Sequence, residues 1–213
     1  MKRNKTNKAW MRQHVNDFYV KQAKHLGYRS RAAFKLIEIN ERDRLLKPGM
    51  VLVDLGAAPG GWSQYAAKCV SPRGRVIAVD KSEMDDIHGV TFIKGDFQEA
   101  EILSEIEKLL DKGEADIVIC DMAPNLSGIT SADQARVMGL AECALEFSSR
   151  CLKPNGCFLV KSFQGAGFDG FLKAMRTTFK VVEVRKPKAS RERSNEVYLL
   201  GKELKEHAGS PRD

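Results

Sequence analysis

The segment Val51 to Gln64, VLVDLGAAPGGWSQ, narrows the folds open to this chain more than any other. A short apolar run meets an acid, passes through a glycine-rich bend and enters a helical stretch. Val51, Leu52, Val53 and Leu55 form the continuous apolar run expected of a strand covered on both faces of a parallel sheet. Gly56, Gly60 and Gly61 permit positive φ and a close approach of backbone to a ligand. The bend lacks the G-x-G opening of the dinucleotide fingerprint, and no Lys-Ser/Thr pair closes it as in a P-loop. What fits is a nucleoside-bearing cofactor without a pyrophosphate, such as S-adenosylmethionine. Another nucleotide-binding loop and a purely structural turn are the alternatives.

Around this corner, apolar runs alternate with helical patterns, the signature of a doubly wound α/β sheet. A chain of 213 residues supports one buried core, so a single domain over 13–203 is expected, between a basic tail at 1–12 and a polar tail at 204–213. The patterns predict strands at 51–56, 75–80, 90–94, 116–121, 156–162, 179–185 and 196–201. Helices are predicted near 60–70, 98–111, 131–151 and 167–178, and an earlier one starts from Ser30 as N-cap and stops at Pro48-Gly49. The last two strands are joined by KPKASRERSN, too short for a crossover helix, so they should pair antiparallel. The expected architecture is thus a Rossmann-like, seven-stranded, mostly parallel sheet with an antiparallel last strand and helices on both faces.

Charge is unevenly spread. The net charge is +7, but residues 1–50 hold 13 Lys and Arg against 4 Asp and Glu, while the rest of the chain holds 22 against 24. A concentrated basic face suits phosphate backbones; a solvated tail is the plainer explanation. Substrate capture is therefore assigned to Lys2, Arg3, Lys5, Lys8, Arg12, Lys21, Lys24, Arg29 and Arg31, with Arg185, Lys186, Lys188, Arg191 and Arg193 near the end. Five scattered cysteines without a C-x-x-C, and four histidines without metal spacing, predict buried thiols, no metal site and a reducing, cytoplasmic address. No apolar run is long enough to span a membrane, and the basic N-terminus lacks the apolar segment of a secretory signal.

Acids recur where the predicted strands end, the edge on which open α/β sheets bind ligands. Asp54, Asp80, Asp96 and Asp121 all fall there. Asp80 has the spacing to accept from both ribose hydroxyls of an adenosine, Asp96 suits the adenine amino group with Phe97 over a ring face, and Asp121 would face the methionine end. Any one of them alone is equally a helix or turn cap. Asp121-Met122-Ala123-Pro124 only partly matches the tetrad of amine methylases, lacking its first proline and its aromatic. Cys120 invites comparison with a pyrimidine C5 nucleophile, but adjacent strand residues face opposite ways, so Cys120 reads as core beside a site-facing Asp121.

Lys161 interrupts the apolar run Cys157 to Val160, and a cation there is costly unless paired. Together with Lys35 in SRAAFKL, Asp121 in CDMAPN and Glu196 in SNEVYLL, it resembles the Lys-Asp-Lys-Glu tetrad of the FtsJ/RrmJ family of RNA ribose 2′-O-methyltransferases. The resemblance covers roughly residues 13–202, and the basic N-terminal helix, DMAPN and KP-x-ASR-x-x-SNE are similar to the bacterial branch that modifies a uridine of 23S ribosomal RNA in the large subunit. It implies that Gly60, Trp62, Asp80, Asp96 and Asp121 contact S-adenosylmethionine. It also implies that Lys161 accepts a proton while Lys35, Asp121 and Glu196 complete the catalytic set, in a chain expected to act as a monomer away from membranes. Relatives acting on transfer RNA or messenger RNA caps carry the same tetrad, and an idle RNA-binding assembly factor is the rival from outside the enzymes.

Overall fold

The computed structural model describes residues 17–110, 114–122, 130–191 and 194–205. The expected tail at 1–12, the capture residues Lys2 to Arg12 and Arg193, and most of the tail at 204–213 lie outside the described residues.

Seven strands form one sheet: β1 Val51–Leu55, β2 Arg75–Asp80, β3 Val90–Lys94, β4 Ala115–Cys120, β5 Leu152–Phe163, β6 Phe179–Arg185 and β7 Glu196–Leu204. Their order is β3-β2-β1-β4-β5-β7-β6, with β7 antiparallel to both neighbours. The helices are α1 Phe18–His25, α2 Ala33–Asp43, α3 Gly61–Val70, α4 Ala100–Leu109, α5 Thr130–Cys151 and α6 Phe168–Thr178. Each predicted strand and helix is present. Among the strands the largest difference is at β5, which begins at Leu152; its register against β4 slips between the Ala115–Leu152 and Ile117–Cys157 pairs. Pro154 has no N–H to give a ladder, so a bulge is where a strand can hold it.

Ser30 is not the cap of the early helix. The helix starts at Ala33 behind Ala32 and ends on Arg44 in the left-handed region, before Pro48 is reached. Asp17 is the residue that caps, accepting from the Tyr19 and Val20 N–H groups at the start of α1.

Two apolar layers sandwich the sheet. On one face Leu52, Ile117, Ile119, Leu159 and Leu200 pack beneath α2 and α3; on the other Val53, Val118, Cys120, Val160 and Leu199 pack with Phe147 of α5 and Phe171 of α6. Period-two alternation thus sends Asp54, Asp121 and Lys161, each two residues beyond an α2-side residue, to the α2 side of the sheet. Among the described residues no helix is long and apolar enough to cross a membrane, and no cluster suits a metal ion.

Candidate active site

The glycine bend after β1 has the geometry its residues require. Gly56 and Gly60 sit at φ 76° and 103°, a region that L side chains rarely adopt. Space adds to this at Gly56, where a Cβ would fall 2.0 Å from Met122 Cγ; at Gly60 it would fall 2.7 Å from Ile87 Cδ1, the end of a side chain that can move, so the backbone angle is the stronger constraint there. Gly61 differs, since its backbone is helical and its constraint is the Ser30 hydroxyl, 2.5 Å from where a Cβ would stand.

Beside this bend, at the carboxyl ends of β1, β2 and β4, opens a cleft of about 650 Å³. The size suits one nucleoside-bearing small molecule. Asp80, Asp96, Phe97, Asp121 and Met122 line it, and Arg136 and Leu140 of α5 close the opposite side. Asp80 accepts from the Ala58 N–H at 3.0 Å and the Ser82 N–H at 2.7 Å. Each of its oxygens retains a further lone pair. Asp96 pairs with Lys81 at 2.6 Å and accepts from the Gln98 N–H at 3.1 Å.

The other two expected cofactor residues do not line this cleft. Trp62 is buried, its indole N–H donating to the Ala32 carbonyl at 2.7 Å, so its side chain ties α3 to α2. It borders a smaller pocket of about 60 Å³, shared with Asp54, Gly61, Ser30 and Asp121. Gly60 shapes the bend. Asp54, fully buried beneath, accepts from the Ser63 hydroxyl at 2.6 Å. Burial pushes its carboxyl up to about 7, so near neutral pH a large share is uncharged and its repulsion of Asp121 is reduced.

The tetrad converges. Asp121 follows the last residue of β4, and the parallel pairing of Cys120 with Val160 sets it beside Lys161. The Lys161 ammonium is 3.1 Å from Asp121 Oδ1 and also donates to the Asp121 carbonyl. Directly across the β5–β7 ladder from Lys161 stands Tyr198. Its hydroxyl donates to Asp121 Oδ1 at 2.7 Å and lies 3.4 Å from Glu196 Oε1. Burial and both carboxylates hold that phenol well above its ordinary value, so it remains a donor. Glu196, two residues away on the same face, pairs with Lys35 at 2.7 Å, and the Lys35 ammonium is 5.7 Å from the Tyr198 ring centre. Lys161, Asp121, Tyr198, Glu196 and Lys35 therefore form one run of polar contacts at the rim of the cleft.

Tyr198 is the member that sequence reasoning missed. The signal was available in alternation: Glu196, Tyr198 and Leu200 share a face, so a polar edge on that strand includes position 198. Cys120 belongs to the opposite apolar layer, and burial pushes its thiol up to about 12, which leaves it unsuited to nucleophilic attack. Of the remaining cysteines Cys151 is buried, whereas Cys69, Cys143 and Cys157 are only partly so.

Several cations assigned to substrate capture are engaged within the protein. Arg185 is buried, with its guanidinium donating to both oxygens of Asp43 at 2.7 and 2.6 Å. Arg29 donates to three backbone carbonyls, Pro59 at 3.2 Å, Asp85 at 2.7 Å and Asp86 at 2.9 Å, and so braces the glycine bend from outside. Arg31 bonds Asp17 and the Ala189 carbonyl. Lys186 donates to the Ser194 and Glu196 carbonyls. Lys21, Lys24, Lys188 and Arg191 remain exposed.

A sheet in this order, with an acid-lined cleft at its switch point, defines a Rossmann-like methyltransferase fold. The family model for FtsJ-like methyltransferases matches residues 28–204, and the chain belongs to that family. It is 62% identical over 201 residues to the ribosomal RNA large subunit methyltransferase E of Nitrosospira multiformis, covering 94% of this chain and 98% of that one. It is 58% identical over 205 residues to the protein of the same name from Dechloromonas aromatica, covering 96% and 100%. Among solved structures, a ribosomal RNA methyltransferase from Plasmodium falciparum superimposes with a TM-score of 0.74 at 28% identity, covering 83% of this chain and 98% of that one.

Proposed function

We propose that this chain transfers a methyl group from S-adenosylmethionine to the ribose 2′-hydroxyl of a uridine in 23S ribosomal RNA of the large subunit. The observation that carries the reading is the unbroken polar run from Lys161 to Lys35 at the rim of a cleft lined by Asp80, Asp96 and Asp121. The names of the large-subunit relatives support the choice of RNA.

The cleft fits the cofactor. Asp80 has lone pairs for the ribose hydroxyls, Asp96 and Phe97 suit the adenine, Asp121 suits the methionine end, and Gly60 and Trp62 hold the bend that forms the wall. When bound, the cofactor supplies an electrophilic methyl on a positively charged sulfur. The protein then has to place one hydroxyl in line with that methyl and take up its proton. With one ammonium proton released to solvent, Lys161 keeps two N–H bonds for Asp121 Oδ1 and the Asp121 carbonyl and gains one lone pair for the hydroxyl proton. Asp121 and Tyr198 fix that amine in place; Lys35, held by Glu196, positions the incoming ribose.

Labelled cofactor and large subunits from cells lacking the modification test the reading directly. Label mapped to one ribose is the expected result. No label on subunits, naked ribosomal RNA or transfer RNA would favour an idle assembly factor. At the cofactor, Asp80→Asn is expected to weaken S-adenosylhomocysteine binding about tenfold by calorimetry, because hydrogen bonds to a charged acceptor are the strong ones. An unchanged affinity would remove Asp80 from the site. RNA affinity should fall with salt, by a log–log slope of about 0.7–0.9 for each phosphate neutralised. Binding indifferent to salt would rule out capture by Lys21, Lys24, Lys188 and Arg191.

A further inference from the structure

Two basic segments remote in sequence, α1 and the loop between β6 and β7, meet on a single carboxylate. Glu38 Oε1 accepts from the Tyr19 hydroxyl of α1 at 3.1 Å and from the Ala189 N–H at 3.0 Å, while Oε2 accepts from the Lys188 N–H at 2.6 Å. Arg31 reinforces the junction, donating to the Ala189 carbonyl and to Asp17, the cap of α1. Tyr19, Phe34 and Tyr28 pack beneath with Ala23 and Ala189. The next loop residue, Ser190, donates its hydroxyl to Glu196 Oε1 at 2.8 Å. Glu38 also stands one turn from Lys35 on α2, on the same helix face. Adjacent loop residues are thus tied to α1, through Glu38 and Arg31, and to the tetrad, through Ser190.

An acid among exposed cations that would meet a polyanion is an electrostatic liability unless it does something else. We infer that Glu38 is the positioning residue that joins α1 and the 186–191 loop into one RNA-binding surface running up to Lys35, and that it supports RNA binding despite its negative charge. Lys21 and Lys24 on one side and Lys188 and Arg191 on the other then engage successive phosphates of the same strand, which carries the target ribose to the tetrad. This inference rests on RNA being the substrate, as proposed above.

The sign of the effect makes it testable. If Glu38 were an incidental acid, its neutralisation would tighten binding of RNA. As the junction, Glu38→Gln points an amide N–H₂ at a backbone or phenol donor and frees the loop. The expected result, by fluorescence anisotropy with a 23S ribosomal RNA fragment and full-length protein, is RNA binding about tenfold weaker. The log–log salt slope should also be shallower by about one to two as the loop's phosphate contacts are lost, with S-adenosylhomocysteine affinity unchanged. Unchanged or tighter RNA binding would overturn the inference. Should Glu38→Gln not fold, Tyr19→Phe deletes only the hydroxyl between α1 and the junction; it should weaken RNA binding about threefold at an unchanged melting temperature, and no weakening would equally overturn it. A wild-type protein that fails to bind ribosomal RNA at all would instead strike at the functional reading.

Discussion

Replacing Lys161 by methionine is expected to slow methyl transfer to large-subunit RNA by about 10²–10⁴-fold, the range for loss of a positioned proton acceptor. Cofactor affinity should hardly change, because Lys161 does not line the cleft. The fold should survive as well: methionine preserves most of the buried stem, and Asp121 keeps the Tyr198 hydroxyl as a donor. Lys161→Arg separates two roles that Lys161→Met does not. Arginine retains the positive charge but gives up no proton near neutral pH. If Lys161 accepts the proton, the arginine variant is as slow as the methionine one; if it only orients the hydroxyl, arginine restores part of the rate. The wild-type pH profile is an independent check, since proton acceptance requires the neutral amine and hence a single-turnover rate that climbs with pH. A flat profile over roughly pH 6–10 together with an active arginine variant would end the proton-acceptor role.

Much of this site was legible because it obeys local rules. The strand, acid and glycine bend of Val51 to Gln64 announce a ligand corner without any tertiary information, and Gly56 and Gly60 adopt the positive φ that their type permits. Asp80, Asp96 and Asp121 stand at strand ends, which alternation and run length locate to within a residue or two. The antiparallel β6–β7 pair followed from a connection too short for a helix. What escaped were partnerships between segments far apart in sequence. Arg29, Arg31 and Arg185 belong to basic stretches and read as surface charge, yet each has its partners across the fold: the carbonyls of Pro59, Asp85 and Asp86 for Arg29, the Ala189 carbonyl for Arg31, and Asp43 for Arg185. Nothing in a charge count distinguishes such an arginine from a solvated one. Ser30 failed as a cap for a related reason, since it is packed against Gly61 of α3 and the helix starts three residues later. Tyr198 was hidden by the aromatic richness of ordinary strands: alternation puts it on the face of Glu196, and the register opposite Lys161 brings it to the tetrad.

The pair Asp43–Arg185 carries the largest expected effect on stability. Asp43 ends α2, Arg185 ends β6, and their side chains are 5% and 7% exposed. Removing one partner of such a buried pair typically costs about 3–5 kcal/mol, because the other charge is left without compensation. Glu183 also pairs with Arg185 at 2.6 Å and relieves part of that penalty, so Asp43→Ala is expected to lose about 3 kcal/mol, read as a fall in urea midpoint at constant m. Against a total stability of about 5–15 kcal/mol for a domain of this kind, that is a substantial share. The Arg185 hydrogen bonds hold the Asp43 carboxyl below its ordinary value. Its contribution is therefore fully present above the unfolded pKa of about 4 and is lost as pH falls through the lower folded value. The gap between wild type and variant should accordingly begin to narrow as pH falls below about 4 and be smallest once pH is below the lower folded value, where the carboxyl is protonated in both states. A loss under about 1 kcal/mol at neutral pH would mean that Glu183 alone satisfies the guanidinium. The consequence reaches the site through α2, which carries Lys35 near its start and Asp43 at its end. Loosening the end fastened to β6 lets the helix shift over the sheet, and the 2.7 Å contact between Lys35 and Glu196 depends on where that helix lies. Asp43→Ala should therefore also lower the rate of methyl transfer, at temperatures where the variant is still folded, while Lys35 and the rest of the tetrad remain chemically intact.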